Sequence, residues 1–199
     1  NKLGIDTNDV LDAACTKWNF LNFRPGLVGG HCIGVDPYYL ITKLEKLGYD
    51  SVLLSSSRKV NESISSFIVD NIVEKLRNKG ISEEKAKVQI LGITFKENVN
   101  DIRNSKVIDI MKELNKRNIK VYARDPYADM KNVEEEYKIS IDENENNEKV
   151  DVLVVAVAHD KYRNMNNNEI LSLLNENKII FDIKNILNKE ELIELGVDY

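Results

Sequence analysis

Two cysteines, two histidines, three prolines and one tryptophan are spread over 199 residues, and each scarcity excludes something. Cys15 and Cys32 show no Cys-x-x-Cys spacing and have only His31 and His159 to join them, which sets aside a four-ligand metal site or a dithiol redox centre. Nor do two thiols make a disulfide framework, so both are expected to be reduced. No apolar run approaches the roughly 20 residues that a helix needs to cross a bilayer, and no signal-peptide pattern opens the chain. A cytoplasmic setting without membrane partners is the default expectation. Positive charge is not in excess, with a net charge of -5, so no nucleic-acid partner is expected. The GxGxxG dinucleotide turn is also missing: Gly92-Ile-Thr-Phe-Lys-Glu97 carries one glycine where that turn needs three. This stretch is therefore a poor candidate for a main dinucleotide site.

Glycine and proline are concentrated in one place, from Phe23 to Leu40. Gly26, Gly29, Gly30 and Gly34 let main-chain N–H groups come close to a ligand, while Pro25 and Pro37 stiffen the ends. Asp36-Pro37 reads as a helix start, with Asp at the N-cap and Pro at the first helical position, followed by a helix from Tyr38 to Gly48. Cys32 then precedes a helix N-terminus, a position where the dipole and free amides favour a thiolate. Spacing alone leaves two readings open: a structural glycine loop around an inert buried thiol, or a nucleophile with a carboxylate four residues on.

Around that stretch, Asp6 or Thr7 can cap a short helix through Val10–Cys15, with Cys15 assigned to the core. A long helix is predicted from about Val52 to Lys79, with Val60, Ile64, Phe67, Ile68, Ile72, Val73 and Leu76 on one face and Gly80 as its stop. Such a length suits a spine between two domains or a helix that pairs with its copy in a dimer. The pattern then changes to strands at Val88–Ile93, Ile119–Ala123, Val150–Val157 and Lys178–Asp182, with helices at Ser105–Lys116, Asn167–Glu176 and Lys189–Leu195. Asp142–Lys149 reads as a solvated connector. The expected architecture is α/β: a helical domain over 1–84 followed by a Rossmann-like parallel-sheet domain over 85–199. Ligand crevices in such sheets lie beyond the carboxyl ends of the strands. Thr94–Glu97, Asn100–Arg103, Arg124–Pro126, His159–Lys161 and Lys184–Asn185 all fall there. Asp125 reads as a plain turn residue and His159 as a loop or helix-flanking histidine.

Gly26-Leu-Val-Gly-Gly-His-Cys-Ile-Gly-Val-Asp-Pro-Tyr-Tyr-Leu40 resembles the active-site loop of the UDP-glucose/GDP-mannose dehydrogenase family, more closely its UDP-N-acetylhexosamine branch. Phe95-Lys96 with Asp101, Arg103 and Ser105 resembles the motif opening that family's C-terminal UDP-binding domain, and Arg58 with Asn61 resembles its central-helix motif. Two departures stand out: Gly34 and Ser65 occupy positions where the family usually has Pro, and the first is expected to loosen the loop.

The resemblance implies an NAD-dependent, two-step oxidation of a UDP-sugar C6 alcohol to a uronate. Cys32 would be the nucleophile and Asp36 its assistant. Gly26, Leu27, Val28, Gly29 and Gly30 would present amides to the diphosphate, with Lys17 as a phosphate contact across a dimer interface. Phe95, Lys96 and Lys184 would contact the UDP-sugar, and Arg103 would reach toward NAD. No metal is implied. The family's N-terminal NAD-binding domain and a further catalytic Lys and Asn have no counterpart here, so the chain is expected to be part of a longer protein, a homodimer through the long helix, and inactive alone. The competing expectation is a non-catalytic UDP-sugar-binding or dimerisation module.

Overall fold

The computed structural model describes residues 3–199. Three helices come first: α1 (Thr7–Cys15), α2 (Asp36–Lys46) and α3 (Val52–Asn78). Asp6 caps α1, its carboxylate accepting the Asn8 N–H at 2.8 Å. The cap of α2 falls one residue earlier than the sequence suggests. Val35 is the N-cap, without a side-chain bond, and Asp36 is already helical because its N–H and that of Val35 both donate to the Cys32 carbonyl. α3 runs within one residue of its expected bounds, with Lys79 as its C-cap and Gly80, whose φ is +73°, just beyond.

The remaining chain alternates strands and helices: β1 (Lys87–Leu91), α4 (Lys106–Lys116), β2 (Lys120–Arg124), α5 (Met130–Tyr137), β3 (Val150–Val155), α6 (Asp160–Arg163), α7 (Asn167–Ser172), β4 (Leu174–Asp182) and α8 (Lys189–Glu194). All four strands are parallel in the order β2-β1-β3-β4. Every residue of β3 is buried, as its continuous apolar run requires of a strand covered on both faces. One face carries Ile68, Val69, Ile72, Val73 and Leu76 of α3 together with α4; the other carries Ile170, Leu174, Leu192 and Val197.

Several expectations are corrected. Cys15 is half-buried, and α1 has no buried residue, so its small apolar positions do not form a core. The apolar face of α3 is buried only in its second half: Val60 stays 68% exposed. β4 begins at Leu174, four residues early, through an irregularity opposite Val150 and Val152, and α7 is correspondingly shorter. The 142–149 connector is not wholly solvated, because Asn144 is buried and its amide donates to Gln89 Oε1 at 3.2 Å and to the Glu148 carbonyl at 2.9 Å.

Candidate active site

In this strand order, β1 leads outward to β2 while β3 begins the other half of the sheet, so the β1/β3 gap is the topological switch point where α/β folds place ligands. Gly92 closes the end of β1 at a φ of +93°, and a Cβ there would lie 2.5 Å from Val157 Cβ. Only glycine permits so close an approach. Thr94 is buried just beyond, and Phe95 and Lys96 project from the turn, with Lys96 Nζ 5.4 Å from the Phe95 ring centre. The turn is closed by the Phe95 N–H donating to the Asp101 carbonyl at 3.1 Å.

The glycine loop lies on this turn. A Cβ on Gly30, whose φ is +82°, would sit 3.1 Å from the Phe95 ring, and one on Gly29 would sit 2.4 Å from the Asn104 carbonyl oxygen. The Asn104 amide donates to the Gly30 carbonyl at 3.4 Å. From above, α3 holds both flanks of the loop: Asn61 Nδ2 donates to the Val28 carbonyl at 3.2 Å and Arg58 Nη1 to the Ile33 carbonyl at 3.1 Å. Those two residues therefore tie the loop to α3 by its carbonyls. Gly34 sits in a close-packed turn, where a Cβ would meet the Gly30 carbonyl oxygen at 2.7 Å.

Cys32 is exposed, at the turn that leads into α2, which removes the reading of an inert buried thiol. Asp36 sits in the first turn of that helix. Arg103 forks onto Asp101, with Nε at 2.9 Å from Oδ1 and Nη2 at 2.5 Å from Oδ2. This guanidinium pulls the Asp101 carboxyl down to about 2, and His31 and Cys32 lie within electrostatic reach of the pair.

Lys184 reaches Gly26, where a Cβ would stand 3.0 Å from Nζ. It is placed by Asp182, which accepts the Lys184 N–H on Oδ1 at 3.2 Å and the Ile186 and Leu187 N–H groups on Oδ2 at 2.7 and 2.8 Å. Leu27, Phe95, Lys96 and Lys184 thus line one small cleft with Ala156 and Val157, and Gly26 and Lys184 also wall a groove of about 980 Å³ between α1, α3 and the end of β4.

Other predicted residues stand apart. Lys17 is exposed after α1, where its N–H donates to the Ala14 carbonyl at 3.1 Å, and its side chain makes no hydrogen bond or ion pair among the described residues. Arg124 turns back to the Glu143 carbonyl at 2.7 Å and Asn147 Oδ1 at 3.0 Å, away from the crevice.

Sequence reasoning missed two carboxylates. Asp182 is one. The other is Asp125, which does form the expected turn through the Tyr127 and Ala128 N–H groups but also caps the end of β1. Its side chain is fully buried and accepts the Ile93 and Thr94 N–H groups at 2.6 and 3.1 Å. Burial alone would raise its pKa, but His159 and the backbone N–H groups outweigh that and hold it well below the usual carboxylate range. A carboxyl depressed on folding stabilises the fold above its unfolded pKa of about 3.9 and loses that contribution as pH falls through its folded value. Denaturant titrations are therefore expected to show stability falling steadily below about pH 4, with a shallower fall in Asp125→Asn, which starts about 2 kcal/mol less stable at pH 7 through its weakened hydrogen bonds.

Residues 89–189 match the UDP-glucose/GDP-mannose dehydrogenase family, UDP binding domain. Residues 1–63 match the central domain of the same family. The chain belongs to this family. Among curated relatives of this dehydrogenase family, protein CapL of Staphylococcus aureus is 42% identical over 192 residues, covering 96% of this chain and 45% of that protein. UDP-N-acetyl-D-glucosamine 6-dehydrogenase of Salmonella typhi is 42% identical over 191 residues, with 96% and 45% covered. The solved NDP-N-acetyl-D-galactosaminuronic acid dehydrogenase from Methanosarcina mazei superposes with a TM-score of 0.84 at 25% identity, over 99% of this chain and 44% of that one. The chain spans less than half the length of the curated family members it matches. Among the described residues no helix is long and apolar enough to cross a membrane, and no cluster of metal-ligating side chains occurs.

Proposed function

We propose that this chain is the central and UDP-binding part of a cytoplasmic, NAD-dependent UDP-N-acetylhexosamine 6-dehydrogenase, divided near residue 84 into a helical and a sheet domain. The observation that carries this reading is the seating of the Cys32 glycine loop on Phe95 beside Lys96 and Lys184, at the sheet's switch point. The amides of residues 26–30 and the two lysines suit a diphosphate, and the Phe95 ring offers an apolar face. Arg103 reaches toward the dinucleotide and Lys17 toward a phosphate across a dimer interface.

The sheet does not fit NAD itself. Where a dinucleotide turn would offer amides to a pyrophosphate, Asp125 already takes the Ile93 and Thr94 N–H groups with a negative charge. The main NAD site is assigned to a part of the enzyme outside these residues, where two NAD molecules bound in turn would supply one hydride acceptor for each oxidation. What this chain supplies is the thiol. An aldehyde has no hydride to give until a nucleophile makes its carbon tetrahedral. The Cys32 sulfur adds to C6, is carried through oxidation as a thioester, and is released when water attacks the carbonyl carbon with Asp36 accepting a proton.

The test is a nitrogen-15 NMR titration of the chain with UDP and UDP-N-acetylglucosamine. Shifts at Gly29, Gly30, Phe95 and Lys96 with UDP, and none at these residues with AMP, are expected. Ligand-induced shifts elsewhere, or none, would overturn the assignment.

A homodimer is proposed as well, because apolar side chains lie uncovered on the helical part: Trp18 is 91% exposed, Leu53 84% and Val60 68%. Pairing through the first half of α3 would cover the last two, and light scattering that returned a monomer at micromolar concentration would reject it. That same surface is what the non-catalytic dimerisation reading has in its favour; rapid alkylation of Cys32 separates the two, since a mere module has no use for a reactive thiol.

A further inference from the structure

Beneath the candidate site, between the ends of β1, β2 and β3, a polar cluster interrupts an apolar layer. Thr94 and His159 are fully buried, as is the Asp125 side chain. His159 Nδ1 accepts the Asn98 backbone N–H at 2.9 Å, so Nδ1 carries no proton. The bonding pattern thus assigns a neutral ring with its proton on Nε2, which faces Asp125 Oδ2 at 3.0 Å and Thr94 Oγ1 at 3.2 Å. The Thr94 hydroxyl in turn donates to the Lys96 carbonyl at 2.9 Å, leaving a lone pair for the ring. Tyr127 and Tyr162 flank the imidazole, with ring centres at 5.0 and 5.7 Å.

The bonds from this cluster converge on one short segment. Asp125 accepts the Ile93 and Thr94 N–H groups, the Thr94 hydroxyl donates to the Lys96 carbonyl, and His159 accepts the Asn98 N–H. Asn98 sits at a φ of +57°, a left-handed backbone that needs such support, and its side chain accepts the Asp160 N–H at 3.0 Å. Between the pinned ends, Phe95 and Lys96 point outward. A side chain serving only the sheet core would need no acceptor aimed at Asn98 and no donor aimed at a carboxylate.

We propose that His159, acting with Asp125 and Thr94, is a positioning residue that fixes the Phe95–Lys96 turn in the shape that receives the nucleotide sugar. This rests on the reading of Phe95 and Lys96 as substrate contacts. The imidazole bridges two groups with opposite needs, a backbone donor on one side and a carboxylate on the other. Glutamine can reproduce both bonds and leucine neither. With leucine the Asn98 N–H loses its acceptor and the buried Asp125 carboxylate loses a donor, which together cost about tenfold in whatever depends on the turn's shape.

The experiment compares the unaltered chain with His159→Leu and His159→Gln. In the unaltered chain, nitrogen-15 spectra of the ring are expected to show the neutral form protonated on Nε2, and the Asn98 amide to exchange slowly. In His159→Leu, UDP affinity should drop about tenfold and Phe95–Asn98 amides exchange faster, while amides of β3 and α8 are unchanged; His159→Gln should return affinity to within about threefold of the starting value. His159→Leu binding UDP as the parent does, with Asn98 still protected, would overturn the proposal. If the leucine variant does not fold, a ring protonated on Nδ1 in the unaltered chain, or His159→Gln with an unprotected Asn98, overturns it equally. Failure of the unaltered chain to bind UDP rejects the substrate assignment instead, a separate outcome from any change in Asn98 exchange.

Discussion

Cys32→Ser is expected to leave UDP binding by this chain within about twofold and to cut uronate formation by the intact enzyme by on the order of 10⁴-fold or more. The asymmetry follows from geometry and chemistry together. Cys32 is exposed at the turn into α2, and its carbonyl, which accepts the Val35 and Asp36 N–H groups, belongs to the backbone that serine preserves. What serine lacks is a good nucleophile at neutral pH: a hydroxyl stays protonated where an appreciable fraction of a thiol is ionised. Oxidation is therefore expected to stall at the aldehyde, detectable by trapping with a hydrazine reagent and by loss of the second equivalent of NADH. Unchanged NADH yield per UDP-sugar would remove the thiol from the mechanism.

A second large effect is expected from Gly29→Ala. The added Cβ would lie 2.4 Å from the Asn104 carbonyl oxygen, a backbone atom that cannot give way as a flexible side chain could, with Phe95 Cβ beside it at 3.4 Å. The glycine loop must lift from the Phe95 turn. UDP affinity should fall by more than about tenfold, equivalent to roughly 1.4 kcal/mol, with a lowered melting temperature. Gly48→Ala is the control, since Gly48 has a φ of +79° but open space around it. That change should cost about 1–2 kcal/mol of stability through backbone strain alone and leave UDP affinity unchanged. Equal affinity losses in both variants would mean that the loop does not depend on its contact with Phe95.

The sheet was largely legible because burial on both faces writes itself as an apolar run, and Val150–Val155 has no other economical use. Caps and short helices were harder. α5 begins at Met130, capped by Asp129, and its eight residues bury only Val133, too little periodicity to stand out from a loop. The start of α2 was misplaced because Asp-Pro is the usual sign of a cap, whereas the turn at Cys32 supplies the amide acceptor and lets the helix begin on Asp36 without one. Cys15 was assigned to the core from its residue type, but α1 packs against nothing among the described residues that buries it. Phe95, Lys96, Lys184 and the glycines could be named from local motifs. Asp125 and His159 could not, since their importance comes from partners up to 65 residues away, brought together only by the parallel crossovers, while Asp182 serves a local turn that no motif marks.

One helix does two jobs. The first half of α3 grips the thiol loop through Arg58 and Asn61, and its second half is embedded in the sheet's core through Ile68 to Leu76. The offset between the Cys32 loop and the sheet is thus measured out by a rigid rod whose length changes only in steps of 1.5 Å, each with a rotation of about 100°. Loop residues can be exchanged while that gauge stays fixed, but adding or removing a single residue along the rod would swing the loop, and Cys32 with it, away from the Phe95 turn altogether.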